Sequence, residues 1–314
     1  MCYNLTSAFT SGGTPSTLYP EYSVPARPLL KWAGGKGQLL PALTRRLPAR
    51  FKRYHEPFVG GGALFFHLWS SGRLGGGAVL SDFNPELVSC YEVARDQADD
   101  LIAYLTELRP HFSDKAFFYE IRAWDRQPDF AARSKLERAA RMIFLNRTCY
   151  NGLFRLNNKG FFNAPFGYYK NPLIVDPENI REVSRALQHV EFHVGDFGNV
   201  LERAEPGDMV YFDPPYVPVS ATASFTHYTH QGFTEVEQRR LAELFFTLAE
   251  RGCAVMLSNS QSPLVSALYA HAPTRDTVLA SRKINCDGKK RGDVEELIVC
   301  GYELRQSHAM APSS

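Results

Sequence analysis

Asp213-Pro214-Pro215-Tyr216 is the stretch of this chain whose residue types and spacing could do chemistry. A carboxylate accepts hydrogen bonds, two consecutive prolines fix two φ angles, and an aromatic ring follows at once. The Asp213 carboxylate, the Pro214 carbonyl and the Tyr216 ring are thereby held in one preset relation. Such a set suits an amine that is hard to activate. The exocyclic amine of a flat heterocycle is a poor nucleophile because its lone pair is delocalised into the ring. A carboxylate and a backbone carbonyl accepting its two N–H bonds would draw that lone pair out of conjugation and aim it, while Tyr216 stacks on the ring. Taken alone, the tetrapeptide is equally a surface turn, and its context decides.

The elements that must position it are legible on either side. Met209, Val210, Tyr211 and Phe212 have strand character, and the prolines can neither donate to a sheet ladder nor continue the strand. Downstream, Thr234 and Glu237 form a helix-start signature. Leu241, Leu244, Phe245 and Leu248 give that helix a buried stripe, Gly252 closes it, and Cys253 to Asn259 reads as the next strand. Strand, turn, helix, strand is a βαβ unit, which places Asp213 at the carboxyl end of a parallel strand, where open α/β sheets bind ligands.

Upstream, Lys31-Trp32-Ala33-Gly34-Gly35-Lys36-Gly37 imitates a phosphate loop but fails the pattern. Leu30 stands where the first glycine belongs, and Gly37 stands where Ser or Thr is needed. The glycines would instead let the backbone approach a ligand, with Lys36 available for a carboxylate and Trp32 for a flat face. A strand ending at Glu56-Pro57-Phe58-Val59-Gly60-Gly61-Gly62 turns through glycines into a helix. Ala78 to Leu80 leads to Asp82, twenty residues beyond Gly62, the spacing at which an acid takes ribose hydroxyls in nucleoside sites. Val190 to Val194 is a further strand, ending at Asp196 and Phe197. Residues 277–283 and 296–302 read as two closing strands, separated by a basic glycine loop with Lys289 and Arg291.

Asn84 and Pro85 open a helical region. A capping box at Ser134 and Glu137 starts a helix with Leu136, Ala140, Ile143 and Phe144 on one stripe, ending near Asn146. The 314 residues carry 35 basic and 33 acidic side chains, a net charge of +2. Between residues 131 and 170, however, eight basic residues face one acid, Glu137. Arg, Asn and Lys interleaved there with Tyr and Phe provide phosphate contact, base-edge hydrogen bonding and stacking together, so this belt is expected to meet a polyanion.

Six cysteines without a C-x-x-C pair fit reduced thiols in a cytoplasm. His227 and His230 have no third ligand at usable spacing, so no metal is expected. No leader pattern and no apolar run of roughly 18 residues is present, which predicts a soluble cytoplasmic protein with no membrane partner. Residues 1–27 and 306–314 read as loosely held tails.

In this order, Lys31 to Lys36, Glu56 to Gly62, Asp82, Asn146-Arg147-Thr148-Cys149-Tyr150-Asn151-Gly152-Leu153-Phe154-Arg155, Asn163 to Gly167 and Asp213 to Tyr216 resemble the Dam-like (alpha group, D12 class) DNA adenine-N6 methyltransferases. The resemblance spans residues 28 to about 303. It implies a Rossmann-like class I methyltransferase fold, a mixed α/β sheet with an antiparallel last strand. The catalytic domain would comprise 28–84 and 172–305, with a helical target-recognition domain, 85–171, inserted after the second strand.

The resemblance also implies S-adenosylmethionine as cofactor, surrounded by Trp32, Lys36, Glu56, Phe58, Gly60, Gly62, Asp82, Phe83, Asp196, Phe197 and Asp213. It implies a nucleoid-associated activity on double-stranded DNA. Asp213, Pro214, Pro215 and Tyr216 would hold a flipped adenine. Residues matching Lys31, Leu153, Arg155 and Pro165 contact bases in members that methylate GATC, and one matching Tyr150 wedges into the stack. Arg147, Asn151, Asn157, Tyr169, Lys289 and Arg291 complete the expected DNA contacts. GATC is the leading site, beside other recognition sequences, cytosine-N4 methylation, an RNA substrate and a non-catalytic DNA-binding regulator. Both a restriction endonuclease acting on the same site and a solitary enzyme are compatible with these residues.

Overall fold

The computed structural model describes residues 25–32, 34–215, 233–281 and 293–304. Seven strands among them form one mixed sheet: β1 (Tyr54–Glu56), β2 (Ala78–Asp82), β3 (Val190–Val194), β4 (Met209–Phe212), β5 (Ala254–Ser260), β6 (Thr274–Ser281) and β7 (Asp293–Cys300). The order across the sheet is β3-β2-β1-β4-β5-β7-β6, with β1 to β5 parallel to one another and β7 antiparallel to both β5 and β6. This is the Rossmann-like arrangement of class I methyltransferases. Register places Glu56 opposite Leu80, Asp82 opposite Val194 and Phe212 opposite Leu257. The carboxyl ends of β1 to β4 therefore lie side by side, and with them Glu56, Asp82, Asp196 and Asp213.

The central strand β4 is buried along its whole length, as its unbroken apolar run requires of a strand covered on both faces. Its side chains alternate between two cores. Met209 and Tyr211 join Tyr54, Leu80 and the helices that follow β2, whereas Val210 and Phe212 join Val255, Leu257, Leu241 and Phe245.

Helices α1 (Leu40–Arg46) and α2 (Ala63–Ser70) flank β1. Between β2 and β3 come α3 (Pro85–Asp96), α4 (Ala98–Leu108), α5 (Lys115–Ala123), α6 (Lys135–Thr148) and α7 (Pro177–Leu187). The Asn84 side chain accepts from the Glu86 and Leu87 N–H groups with Pro85 in the first turn, so α3 starts where cap and proline place it. In α6 the capping box closes in both directions, and Ala140, Ile143 and Phe144 are buried with Leu136 half-buried. The helix runs on to Thr148. Helices α8 (Glu235–Glu250) and α9 (Pro263–Leu268) cover the other face beside β5.

Helix α3 packs on β2 and β3, and α4, α6 and α7 pack on it. One apolar core runs from the sheet into these helices, across residues 84 and 171. Residues 25–27 are not loose, contrary to expectation. Ala26 is buried, the Arg27 N–H donates to Asn179 Oδ1 at 2.9 Å, and its guanidinium pairs with Asp176 at 2.9 Å. Residues 1–24, the tail beyond 304, the loop with His227 and His230, and the loop with Lys289 and Arg291 lie outside the described residues.

Candidate active site

Asp213 leaves the end of β4 into a buried polar cluster that closing strand β7 completes. Lys36 Nζ lies 2.9 Å from Asp213 Oδ1 and 3.6 Å from Glu296 Oε2, and Lys36 and Glu296 are both buried. Ser258 Oγ donates to Asp213 Oδ1 at 3.3 Å, and the Tyr211 hydroxyl lies 2.7 Å from Ser258 Oγ. Burial pushes the Asp213 carboxyl up to about 6, although the Lys36 ammonium pulls the other way. Glu296 and Ser258 were not singled out from the sequence. Glu296 shares its strand face with Ile298 and Cys300, both fully buried, and an acid in phase with a buried apolar face is the signal that would have found it.

Beside this cluster the glycine turn after β1 is tightly constrained. Gly60 and Gly62 have φ of 46° and 65°, and a Cβ on Gly60 would lie 2.7 Å from Trp32 Cδ1. Only glycine lets the indole approach the turn this closely. The Gly60 N–H donates to Asp82 Oδ2 at 3.1 Å, the Asn84 N–H donates to Asp82 Oδ1 at 3.0 Å, and the Tyr91 hydroxyl donates to the Gly60 carbonyl at 2.8 Å. Burial raises the Asp82 carboxyl to about 6 and carries Glu56 well above the carboxylate range. Glu56 accepts from the Tyr54 hydroxyl at 2.9 Å. Phe58 stacks on Phe197 at 5.3 Å and meets Phe212 and Phe233 edge-on, while Phe83 stands 64 % exposed at the β2 end. Asp196 caps the short turn of 3-10 helix at Phe197–Glu202 and pairs with Arg240, whose guanidinium lies 4.4 Å from the Phe197 ring centre.

These residues fit S-adenosylmethionine on two observations. Asp82 and Asp213 stand at the carboxyl ends of β2 and β4, on either side of β1, and acids there, with Lys36 set between Asp213 and Glu296, favour a cationic ligand. Asp82 stands at the strand end where ribose hydroxyls are taken, and Phe83 presents an exposed ring beside it. Among the described residues no group of three His, Cys, Asp or Glu side chains is placed to hold a metal ion.

The expected DNA-facing residues divide. Tyr150 is 49 % exposed and Pro165 is exposed, while Leu153 and Tyr169 are half-buried beside them. Lys31 Nζ lies 5.1 Å from the Tyr169 ring centre. Asn151 takes the left-handed conformation, φ 58°, that turns the chain toward Gly152. Arg155 is held by Asn163, its Nε donating to Oδ1 at 2.7 Å and its Nη2 to the backbone carbonyl at 3.3 Å. Asn157 caps its own turn by accepting from the Lys159 and Phe161 N–H groups, and the Arg147 guanidinium donates inward to the Leu29 carbonyl. Arg147 and Asn157 therefore shape the loop that carries the others. Tyr216, Lys289 and Arg291 lie outside the described residues.

The basic belt is also less cationic than its composition. Arg138 pairs with Glu86 at 2.7 Å, Lys135 with Glu92 at 2.7 Å, Arg141 with Asp125 at 2.9 Å and Arg133 with Glu137 at 3.6 Å. Three of those acids lie outside the 131–170 window and reach it only through folding. Lys159 and Lys170 remain exposed.

The profile of the D12 class N6 adenine-specific DNA methyltransferases matches residues 32–282. A type II methyltransferase of Lactococcus lactis subsp. cremoris, M1.LlaDCHI, is 42 % identical over 91 % of this chain and 99 % of its own length. M.MjaIII of Methanocaldococcus jannaschii, also a type II methyltransferase, is 42 % identical over 88 % and 99 %. The DNA adenine methylase of Escherichia coli K12 is 35 % identical over 87 % and 94 %. With the strand order and the Asp213 cluster, these likenesses establish that the chain belongs to the D12 class of N6 adenine-specific DNA methyltransferases.

Proposed function

We propose that this methyltransferase acts on duplex DNA at GATC, turning the target adenine out of the helix and methylating N6 by direct in-line transfer. The observation that carries this reading is the Lys36–Asp213 contact. A nitrogen donor 2.9 Å from Asp213 Oδ1, at the end of a buried strand, supports reading this carboxylate as the acceptor for an amine. Asp213 and the Pro214 carbonyl would accept the two N–H bonds of the adenine amine, and Tyr216 would stack on the base. Ser258 and Tyr211 hold the Asp213 carboxylate in position. Extruding the base costs a few kcal/mol, which stacking and edge hydrogen bonds offset. S-adenosylmethionine, when bound, supplies a methyl group on a sulfonium, an already activated leaving group. Glu56, Asp82 and Phe83 would hold it, and alignment of two bound reactants can supply about 7–11 kcal/mol of a barrier.

GATC rests on Lys31, Tyr150, Leu153, Arg155 and Pro165, whose types match the members that read it. The names of the Lactococcus and Methanocaldococcus relatives support a second reading on the same chemistry, a type II modification enzyme whose partner endonuclease cuts the same site. Transfer of a labelled methyl group to two duplexes differing only in whether GATC is intact, followed by nucleoside digestion, tests both levels. Label in N6-methyladenine from the GATC duplex alone is expected. Label from both removes the site and keeps the reaction; label in N4-methylcytosine, or none, removes the adenine reading.

A further inference from the structure

The side chain of Asn146 is fully buried near the end of α6 and is bonded on three sides. Its Oδ1 accepts from the Lys31 N–H at 2.7 Å, and its Nδ2 donates to the Lys31 carbonyl at 2.8 Å and to the Gly152 carbonyl at 3.0 Å. The two Lys31 groups fix which amide atom is oxygen, because an N–H needs the acceptor and a carbonyl needs the donor. Asn146 thus pairs with Lys31 as a neighbouring strand would, while the same amide holds the turn at Tyr150–Gly152.

Two further contacts tighten this junction. Gly152, at φ 63°, brings its backbone so close that a Cβ there would lie 2.5 Å from Lys31 Cδ. Trp32, next in the chain, stacks on Phe154 at 5.1 Å and 18°. Lys31 lies over the Tyr169 ring, Trp32 packs against Gly60 and Lys36 meets Asp213. One buried carboxamide therefore joins the recognition turn to the loop that lines the catalytic crevice.

We infer that Asn146 is a positioning residue that couples recognition of the DNA site to alignment of the catalytic loop. The inference rests on the proposed reading that the 150–155 turn meets DNA. When the turn seats on its own sequence, the rigid amide carries that position to Lys31, Trp32 and Lys36; on a wrong sequence the loop is misplaced. Removing the amide frees the loop from the turn, so the correct sequence loses its rate advantage while general DNA affinity stays.

The test compares Asn146→Ala with Thr148→Val, a control in the same helix whose buried hydroxyl donates only within α6, to the Phe144 carbonyl at 2.7 Å. The substrate is whichever duplex the wild-type enzyme methylates, GATC or another, and a copy with one base pair changed. For Asn146→Ala, kcat on the true site should fall about a hundredfold, the scale of a small misplacement of reacting groups. Affinity for the duplex with one base pair changed, which rests on phosphate contacts, should stay within about twofold. The ratio of kcat/KM between the two duplexes should shrink accordingly. If Asn146→Ala and Thr148→Val lose activity and melting temperature in parallel with the ratio intact, Asn146 is merely structural. If the wild type shows no preference between any duplexes, the recognition reading itself has failed, which is a separate result from an intact ratio in the variant.

Discussion

Lys36 holds its ammonium 2.9 Å from the Asp213 carboxylate while standing 3.6 Å from Glu296, so the carboxylate at the end of β4 already has a nitrogen donor in place. The adenine amine would enter as a competing donor at Asp213. Glu296 offers Lys36 a second carboxylate at short range.

Replacing Asp213 by Ala should therefore slow transfer sharply yet leave the cofactor crevice largely intact. Loss of one preorganised hydrogen-bond partner for developing charge is worth about 2.7–4 kcal/mol, or roughly 100- to 1000-fold in kcat, by analogy with oxyanion donors. Glu56, Asp82 and the Gly60 turn do not depend on the Asp213 side chain for their hydrogen bonds. Calorimetric titration with S-adenosylmethionine beside a methyl-transfer assay checks this. Equal loss of binding and transfer would sink the assignment.

Burial raises Asp213 to about 6, and acceptance of the amine requires the ionised carboxylate. The kcat/KM profile for DNA should fall as pH drops through about 6, roughly tenfold per pH unit, since such profiles report groups of the free enzyme. The effect on folding has the opposite sign. A folded carboxyl that holds its proton more tightly than the unfolded chain favours folding as pH falls from about 6 toward 4. Asp82, raised to about 6 for the same reason, adds to that trend. A profile flat down to pH 5 would show that Asp213 is not the titrating acceptor.

Gly60→Ala should weaken the turn on two counts. A non-glycine residue at φ 46° costs about 1–3 kcal/mol, and the added methyl meets the Trp32 indole at 2.7 Å. Both effects fall on the residues that line the cofactor crevice. Denaturant unfolding should report the strain, and S-adenosylmethionine affinity should drop with it; unchanged values for both would mean that the turn relaxes freely.

The basic belt separates into struts and free cations, and two substitutions should show it. Arg141→Ala removes one of the two ion pairs of Asp125, which keeps Arg126 and the Phe162 N–H, and leaves the Ile121 carbonyl without its side-chain donor, a loss of about 1–3 kcal/mol. Lys170→Ala should leave stability unchanged while lowering the slope of log affinity against log salt by about 0.9, if Lys170 neutralises one phosphate. Unfolding curves and a salt titration of DNA binding would distinguish the two. A lowered salt slope in a fully folded Arg141→Ala variant would mean that Arg141 faces DNA.

Local signals determined much of this protein. The apolar run of β4, the prolines that stop it at Asp213, the Asn84–Pro85 cap, the Ser134–Glu137 capping box and the Gly252 stop each act over a few residues, and each stands where the sequence places it. The alignment of Glu56, Asp82, Asp196 and Asp213 followed from strand ends, because parallel neighbours in register bring their carboxyl termini together. Tertiary structure alone decided the partners. Glu296 and Ser258 reach Asp213 from strands that return late in the chain; Glu86, Glu92 and Asp125 neutralise a belt that composition reads as strongly basic; and Arg147 turns inward to Leu29. A hydrogen bond or an ion pair acts over about 3–4 Å in space, and nothing in the spacing of residues along the chain encodes which distant groups come within that reach.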